Sequence, residues 1–496
     1  MTFLDGVLRV LGGSLAAVAV GYACVRFLTP GLHRSEKLAW SFATGLLVQA
    51  ILFVLLSSVF PGLGALPILA IDGAIVAASF LARRPLPPSR PVEPGNAGLM
   101  ARGDRQALVV ALLAIAAVGW LIFLVAALSE PMWATDYLAM WGLKGKTIFE
   151  TGFIPRRLFQ DPALYWGRPD HPLFVPLSLA TLASLSGGWQ DQALALLFPL
   201  CELATLCALY GFLSRRVSPL AGATAAAFTA LSFSLYRAAN SGLAEIPLAF
   251  ALVLASAAFF DVLETGSRPA MTRLFLASLL SAWIKPEGTL FVLLLAGVLW
   301  VRQRFRLVDT WKSGGWAPVV PPVLHASLMF LLCRPQPVRE FDLTFFEPRR
   351  WSELLSRFGT VLARILGTEV PRVWIPLLAI SLFLLVTRRG LADPLLAVFA
   401  LQILGYLAAF SISSFDPIWK VDSCFQRITA TLLPAFALVI GARVGGERRA
   451  ADRLTSSPGN EGSGTTRPAP ETAEQVAHTL LEIRPAGYLD ERCRVW

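Results

Sequence analysis

The sequence predicts an all-α polytopic membrane protein, and three observations carry that prediction. The 496-residue chain is 55% hydrophobic and 15% charged, with a mean hydropathy of +0.61, where a soluble domain carries about 25% charge. Apolar runs of about 18–23 residues recur, each close to the ~20 a helix needs to cross ~30 Å of hydrocarbon. The charges that remain fall between these runs in short clusters.

Taken in order, the candidate spans are 7–28, 38–59, 63–82 and 107–128, followed by a polar stretch, 129–172. They resume at 191–213, 219–236, 243–262, 273–285, 287–301, 316–333, 371–387, 392–412 and 427–442, with a second polar stretch at 334–370. The first run lacks the basic start and small-residue cleavage site of a secretory signal, so it reads as a retained helix. The expected architecture is a bundle of about 13 transmembrane helices with a juxtamembrane helical loop on its outer face. Three regions follow. Residues 1–106 hold the N-terminal helices and a basic loop. Residues 107–442 form the transmembrane core, with outer loops 129–190 and 334–370. Residues 443–496 form a tail that contains "SSPGNEGSGTTRPAPE" and reads as disordered.

The formal net charge of +10 points first to cytoplasmic loops facing anionic lipid, before any nucleic acid. Five basic clusters carry it: Arg83 to Arg105, Arg215–Arg216, Arg302 to Lys312, Arg388–Arg389, and Arg443 to Arg453. All belong on the cytoplasmic side. Two segments decide whether they share it. "HPLFVPLSLATLASLSGG", 171–188, holds only about 14 residues between Pro172 and Gly187, roughly 21 Å of helix, so it enters without crossing. "RLFLASLLSAWIKPEGTLFVLLLAGVLWVRQR", 273–304, breaks at Lys285-Pro286-Glu287 into two short helices. Asp136, His171, Glu245, Lys285, Glu287 and Arg427 then all fall at outer helix ends. Ionisable residues at membrane depth are costly and read by default as functional.

"WATDYLAMWGLKGKTIFETG", 133–152, is the most unusual stretch. Read as a helix from 136 to 150, it places Asp136, Met140 and Lys144 on one face, with Trp133, Tyr137 and Trp141 in an adjacent stripe at headgroup level. The plainer reading is an interfacial anchor with a surface ion pair. Each other candidate also has a plain alternative. Glu245 suits a helix N-terminus, Lys285 and Glu287 can pair with each other, Arg427 can snorkel, and His171-Pro172 can be a turn. Glu202, mid-span, is expected to be a packed acid without a role. The six cysteines show no CxxC and the four histidines never pair, so no metal site and no cofactor are predicted.

In order and spacing, "TDYLAMWGLKGK" (135–146), "HPLFVPL" (171–177), "AEIPL" (244–248) and "WIKPEG" (283–288) resemble motifs of the GT-C superfamily of membrane glycosyltransferases. That superfamily includes protein O-mannosyltransferases, aminoarabinose transferases and the bacterial Rgt-like group. Arg427 with Pro434 is a weaker echo. The chain departs from the usual pattern at Thr135, where relatives carry Trp, at Glu245, where many carry Asp, and at Pro286, where Asn is common. The resemblance implies transfer of a sugar from a polyprenyl-phosphate donor to a hydroxyl of an envelope acceptor (lipid, glycan or protein), with inversion, at the outer face of the cytoplasmic membrane. It makes Asp136 the general base, with Glu245 as a second catalytic acid. Lys285, Arg427 and Lys144 would meet the donor phosphate, and His171, Glu287, Trp141 and Tyr137 would bind substrate. A transporter or flippase of a lipid-linked or amphipathic substrate is the rival class, and an inactive scaffold is a third. One-sided charge and the lack of an evident internal repeat weigh toward the enzyme.

Overall fold

The structure is a computed structural model of the chain. It describes residues 2–28, 31–60, 65–82, 102–161, 164, 167–232, 242–302, 315–335, 340–368 and 394–443. The expected span 371–387, Arg388–Arg389, most of the Arg83–Arg105 and Arg302–Lys312 clusters, and the tail beyond Arg443 lie outside the described residues.

The described chain is helical, apart from one isolated antiparallel bridge between Phe341 and Ser413. Its main helices are α1 (Phe3–Leu28), α2 (Arg34–Val59), α3 (Ala65–Leu81), α4 (Arg102–Ser129), α5 (Gly142–Thr151), α6 (Phe174–Ser186), α7 (Asp191–Arg216), α8 (Pro219–Ala230), α9 (Glu245–Thr265), α10 (Arg268–Ile284), α11 (Pro286–Arg302), α12 (Trp316–Leu332), α13 (Trp351–Thr368), α14 (Pro394–Ser411), α15 (Pro417–Ala430) and α16 (Leu433–Arg443). Six of them (α1, α2, α4, α7, α9 and α14) are long and apolar enough to cross a membrane, and α15 with α16, bent by 43°, makes a seventh if the pair is one span. The other apolar helices are shorter. Among the described residues, six or seven helices thus meet that length and composition, while the expected span 371–387 and the end of 219–236 lie outside them. Segment 171–188 forms α6, only 13 residues long and almost wholly buried. That is about 20 Å of helix, short of a bilayer core.

α9 is the central helix: 94% of its apolar window is buried, against 17% for α4 at the periphery. A helix that is apolar all round belongs in such a core. Caps mark where neighbouring helices begin. His33 Nδ1 accepts from Ser35 N–H at α2, Ser218 Oγ from Ala221 N–H at α8, and Ser267 Oγ from Ala270 N–H at α10. α1 and α2 approach through small residues. A Cβ at Gly21 would lie 1.7 Å from Ser41 O, and one at Gly45 would lie 1.8 Å from Ala17 O. The paired Ala17-x3-Gly21 and Ser41-x3-Gly45 steps give the close backbone contact on which helix pairs rely in lipid, where apolar burial supplies no drive.

α10 and α11 meet at Lys285, which is extended (φ −153°, ψ 154°). Pro286 opens α11 because its missing N–H costs nothing at a helix start. The two helices pack against each other, and Gly288 allows it: a Cβ there would sit 2.1 Å from Ser281 O. Lys285 is thereby held at the tip between two apolar helices.

Candidate functional site

Four segments far apart in sequence meet at one end of the bundle. Arg427, from α15, places Nη1 2.7 Å from Asp136 Oδ2 and Nε 2.9 Å from Glu245 Oε1. Lys285 Nζ lies 3.1 Å from the same Glu245 oxygen and 3.4 Å from Glu287 Oε1. Asp136, Glu245, Lys285, Glu287 and Arg427 thus form one continuous ion network. Glu245, Lys285 and Glu287 stand at the ends of the apolar helices α9, α10 and α11, which puts their charge where apolar helices end.

The network's chemistry is uneven. Asp136 is 29% exposed, Glu287 19% and Glu245 1%. Asp136 is therefore the acid most open to an incoming molecule. Three carboxylates face two cations, which leaves a formal excess of one negative charge. Glu245 Oε2 and Glu287 Oε2 are buried with no hydrogen-bond donor among the described residues. A buried, unmatched carboxylate oxygen is expensive, and it marks a position suited to a donor group. Arg427 Nε is close to Glu245 but its N–H is not aimed at the oxygen, so that contact is Coulombic rather than a hydrogen bond. Gln402 on α14 donates to Glu287 O at 3.0 Å and to Tyr406 Oη at 2.8 Å, which fixes the α10–α11 tip from the side.

Asp136 and Arg427 both adjoin a wide helical turn. Residues Tyr137–Trp141 and Val421–Phe425 are π-helical, a feature often found at functional sites. At the first, part of the expected geometry is overturned. Asp136 and Lys144 meet different partners, Arg427 and the Arg168 carbonyl respectively. Tyr137 and Trp141 are 2% and 1% exposed, buried in protein rather than displayed among headgroups. Only Trp133 of that stripe is open, at 59%. The Tyr137 hydroxyl donates to Asp191 Oδ1, as does Trp189 Nε1 at 3.1 Å. Burial, together with that carboxylate, holds the Tyr137 phenol well above its usual range.

Lys144 and His171 belong to a second cluster. Lys144 is 1% exposed, donates to Arg168 O at 2.6 Å and lies 5.5 Å from the Phe159 ring centroid. Burial pushes its ammonium down to about 7. The His171 ring packs 5.6 Å from Trp141, with Nδ1 3.4 Å from Asp170 Oδ1, and burial lowers its pKa. Burial works to raise Asp170, but His171 and Arg168 outweigh it and hold the carboxyl well below the usual range. Glu340 pairs with both Arg168 and Lys420. Against burial, these cations bring Glu340 down to about 2. Arg168 has φ 49°, a left-handed backbone unusual outside glycine, fixed by these contacts. Both clusters thus span the same two helical segments. Lys144 lies eight residues beyond Asp136 and Lys420 seven before Arg427, so the clusters are about 10–12 Å apart. Lys144 is not placed beside Arg427 and Lys285.

The charge is not one-sided, contrary to expectation. At the other end of α9, about 24 Å from Glu245, Asp261 takes Arg216 Nη2 at 2.7 Å, Arg273 Nη2 at 2.7 Å and Arg215 Nη2 at 3.1 Å. Glu36, 1% exposed, pairs with Arg215 at 3.1 Å. Arg443 stacks 5.3 Å from Phe260, so Arg215–Arg216 and the start of the basic tail meet at one end, opposite the first network. Between the two ends, Ile246–Phe260 is fully buried, with Ser256 its one polar side chain.

Among the described residues, no group of three His, Cys, Asp or Glu side chains is arranged to hold a metal ion. Comparison with known proteins finds no family model, no curated protein and no solved structure that matches the chain.

Proposed function

We propose that the chain is a membrane glycosyltransferase that moves a sugar from a polyprenyl-phosphate donor to a hydroxyl of an envelope acceptor. The observation that supports this best is the ion network of Asp136, Glu245, Lys285, Glu287 and Arg427 at one end of an apolar bundle. A lipid-linked sugar is confined to that level by its tail. Sugar hydroxyls are donors of the kind Glu245 Oε2 and Glu287 Oε2 lack. In this reading the end that gathers Arg215, Arg216 and Arg443 is cytoplasmic, as the positive-inside rule favours, and the network faces outward from the cytoplasmic membrane.

In this reading the donor phosphate binds Arg427, with Lys285 adding charge, and draws the guanidinium away from Asp136. Asp136 is then free to accept a proton. The acceptor oxygen attacks the anomeric carbon, its proton passes to Asp136, and the bond from that carbon to the phosphate oxygen breaks with inversion. The lipid phosphate leaves, its charge met by the cations. Base catalysis of this kind contributes about 10²–10⁴ in rate. Lys144 and His171 position the Arg168 loop rather than the phosphate.

One observation favours a second reading, a transporter: ion networks close both ends of α9, as gates would. Against it, the buried stretch between them offers almost no polar path. The test uses purified protein in vesicles with a polyprenyl-phosphate sugar and a mixed acceptor extract. Release of polyprenyl phosphate with a glycosylated product supports transfer. Passage of the intact donor to the other leaflet without release overturns it in favour of transport.

A further inference from the structure

Helix α13 has an apolar arc too wide for the protein it touches. At 100° per residue, Val361, Leu354, Ile365, Phe358, Trp351, Leu362, Leu355 and Leu366 follow one another around about 140° of its surface. Val361 and Ile365, on one half, are 0% and 5% exposed and pack into the core. The other half is bare: Trp351 is 55% exposed, Leu355 70%, Leu362 37% and Leu366 60%. Ser352, Glu353, Ser356 and Thr360 lie on the opposite side.

Its attachment fixes its height. Arg357 donates to the carbonyls of Ser411 (2.8 Å), Ser413 (2.6 Å) and Phe415 (3.0 Å), which end the span α14. α13 therefore lies where a membrane-crossing helix emerges. Exposed aromatics flank it, Phe346 at 58% and Trp419 at 55%, beside charges such as Arg349 and Glu347 in the turn before it, a mixture suited to the headgroup boundary. Amphipathic helices with Trp at the edge of the apolar face settle at the boundary between headgroups and acyl chains.

The geometry points to a lipid-binding face: the free half of α13, formed by Trp351, Leu355, Leu362 and Leu366, lies in the bilayer interface. The same helix holds Asp422 through Arg364, at 2.8 and 2.7 Å, five residues before Arg427. Contact with lipid at α13 thus sets the depth of the segment that carries Arg427. This inference does not depend on the reaction proposed above.

The test places the photo-crosslinker benzoylphenylalanine at single positions in the full chain, in native membranes. Leu355 and Leu366 are the test sites, Ser356 and Ala363 the controls on the polar side, and Leu401, exposed on α14 at 46%, the lipid-facing reference. Phospholipid adducts at 355 and 366 comparable to those at 401, and at least fivefold above 356 and 363, support the inference. Adducts at 401 without adducts at 355 and 366 overturn it. So do crosslinks from 355 or 366 to a second copy of the chain or to another protein, and so do equal lipid adducts on both sides of α13.

Discussion

Replacing Glu245 by Gln tests the ion network at its hub. Glu245 Oε1 receives Lys285 at 3.1 Å and Arg427 at 2.9 Å, and its side chain is 1% exposed. Glutamine keeps the shape and one acceptor oxygen but removes the charge that both cations share. Breaking a buried pair by removing one partner costs about 3–5 kcal/mol. Glu287 and Asp136 still offset part of the orphaned charge, so the lower figure, about 3 kcal/mol, is expected. Lys285→Met alone leaves Glu245 with Arg427 and should cost a similar amount. The double variant removes one charge of each sign and should lose less than the two single losses combined, with a coupling of about 1–3 kcal/mol. The assay is reversible unfolding of purified protein in mixed micelles with a rising fraction of denaturing detergent, followed by tryptophan fluorescence. Purely additive losses, or single losses below about 1 kcal/mol, would refute the reasoning that these charges stabilise one another.

Three further outcomes are expected. Asp261→Asn leaves Arg273 buried without a paired acid, whereas Arg215 keeps Glu36 and Arg216 keeps Glu264. It should cost about 3–5 kcal/mol in the same assay, with turnover per folded molecule unchanged. The Lys144 ammonium sits at about 7 in the folded chain instead of 10.5, so the unfolded chain binds the extra proton between those values. Stability should therefore rise with pH across that window, by at most about 5 kcal/mol, and Lys144→Met should flatten the rise in melting temperature between pH 7 and 9. Gly288→Ala forces a Cβ to 2.1 Å from Ser281 O; overpacking of this kind costs about 1–3 kcal/mol, read as a lower melting temperature.

Much of the candidate site was legible because desolvation makes charge conspicuous in an apolar chain. Asp136, Glu245, Lys285, Glu287 and Arg427 each stood at the end of an apolar run, and the structure joins them. The break at Lys285-Pro286 was equally readable, since proline cannot continue the preceding helix. What escaped depended on register or on pairing between distant elements. The π-helical turn at Tyr137–Trp141 has no sequence signature, and the burial of Tyr137 and Trp141 and the Arg168 partner of Lys144 depend on elements farther along the chain. Asp261 and Arg273 stand at the ends of the expected spans 243–262 and 273–285 like ordinary flanking charges; nothing local shows that three arginines converge on one carboxylate. Glu340 and Lys420 were hidden in the same way, one in a long polar stretch and one before the last span. Gln402 and Tyr406 are unremarkable polar residues in an apolar helix until α14 is set beside the α10–α11 tip.

The most direct test of the proposed chemistry is sugar transfer by Asp136→Asn in lipid, from a polyprenyl-phosphate donor, at matched amounts of folded protein. Asparagine keeps the size and can still accept from Arg427, but it cannot take the acceptor's proton. Turnover should fall by at least about 10² while the melting temperature changes little, because Asp136 is 29% exposed. Near wild-type turnover would contradict the assignment of Asp136 as the base.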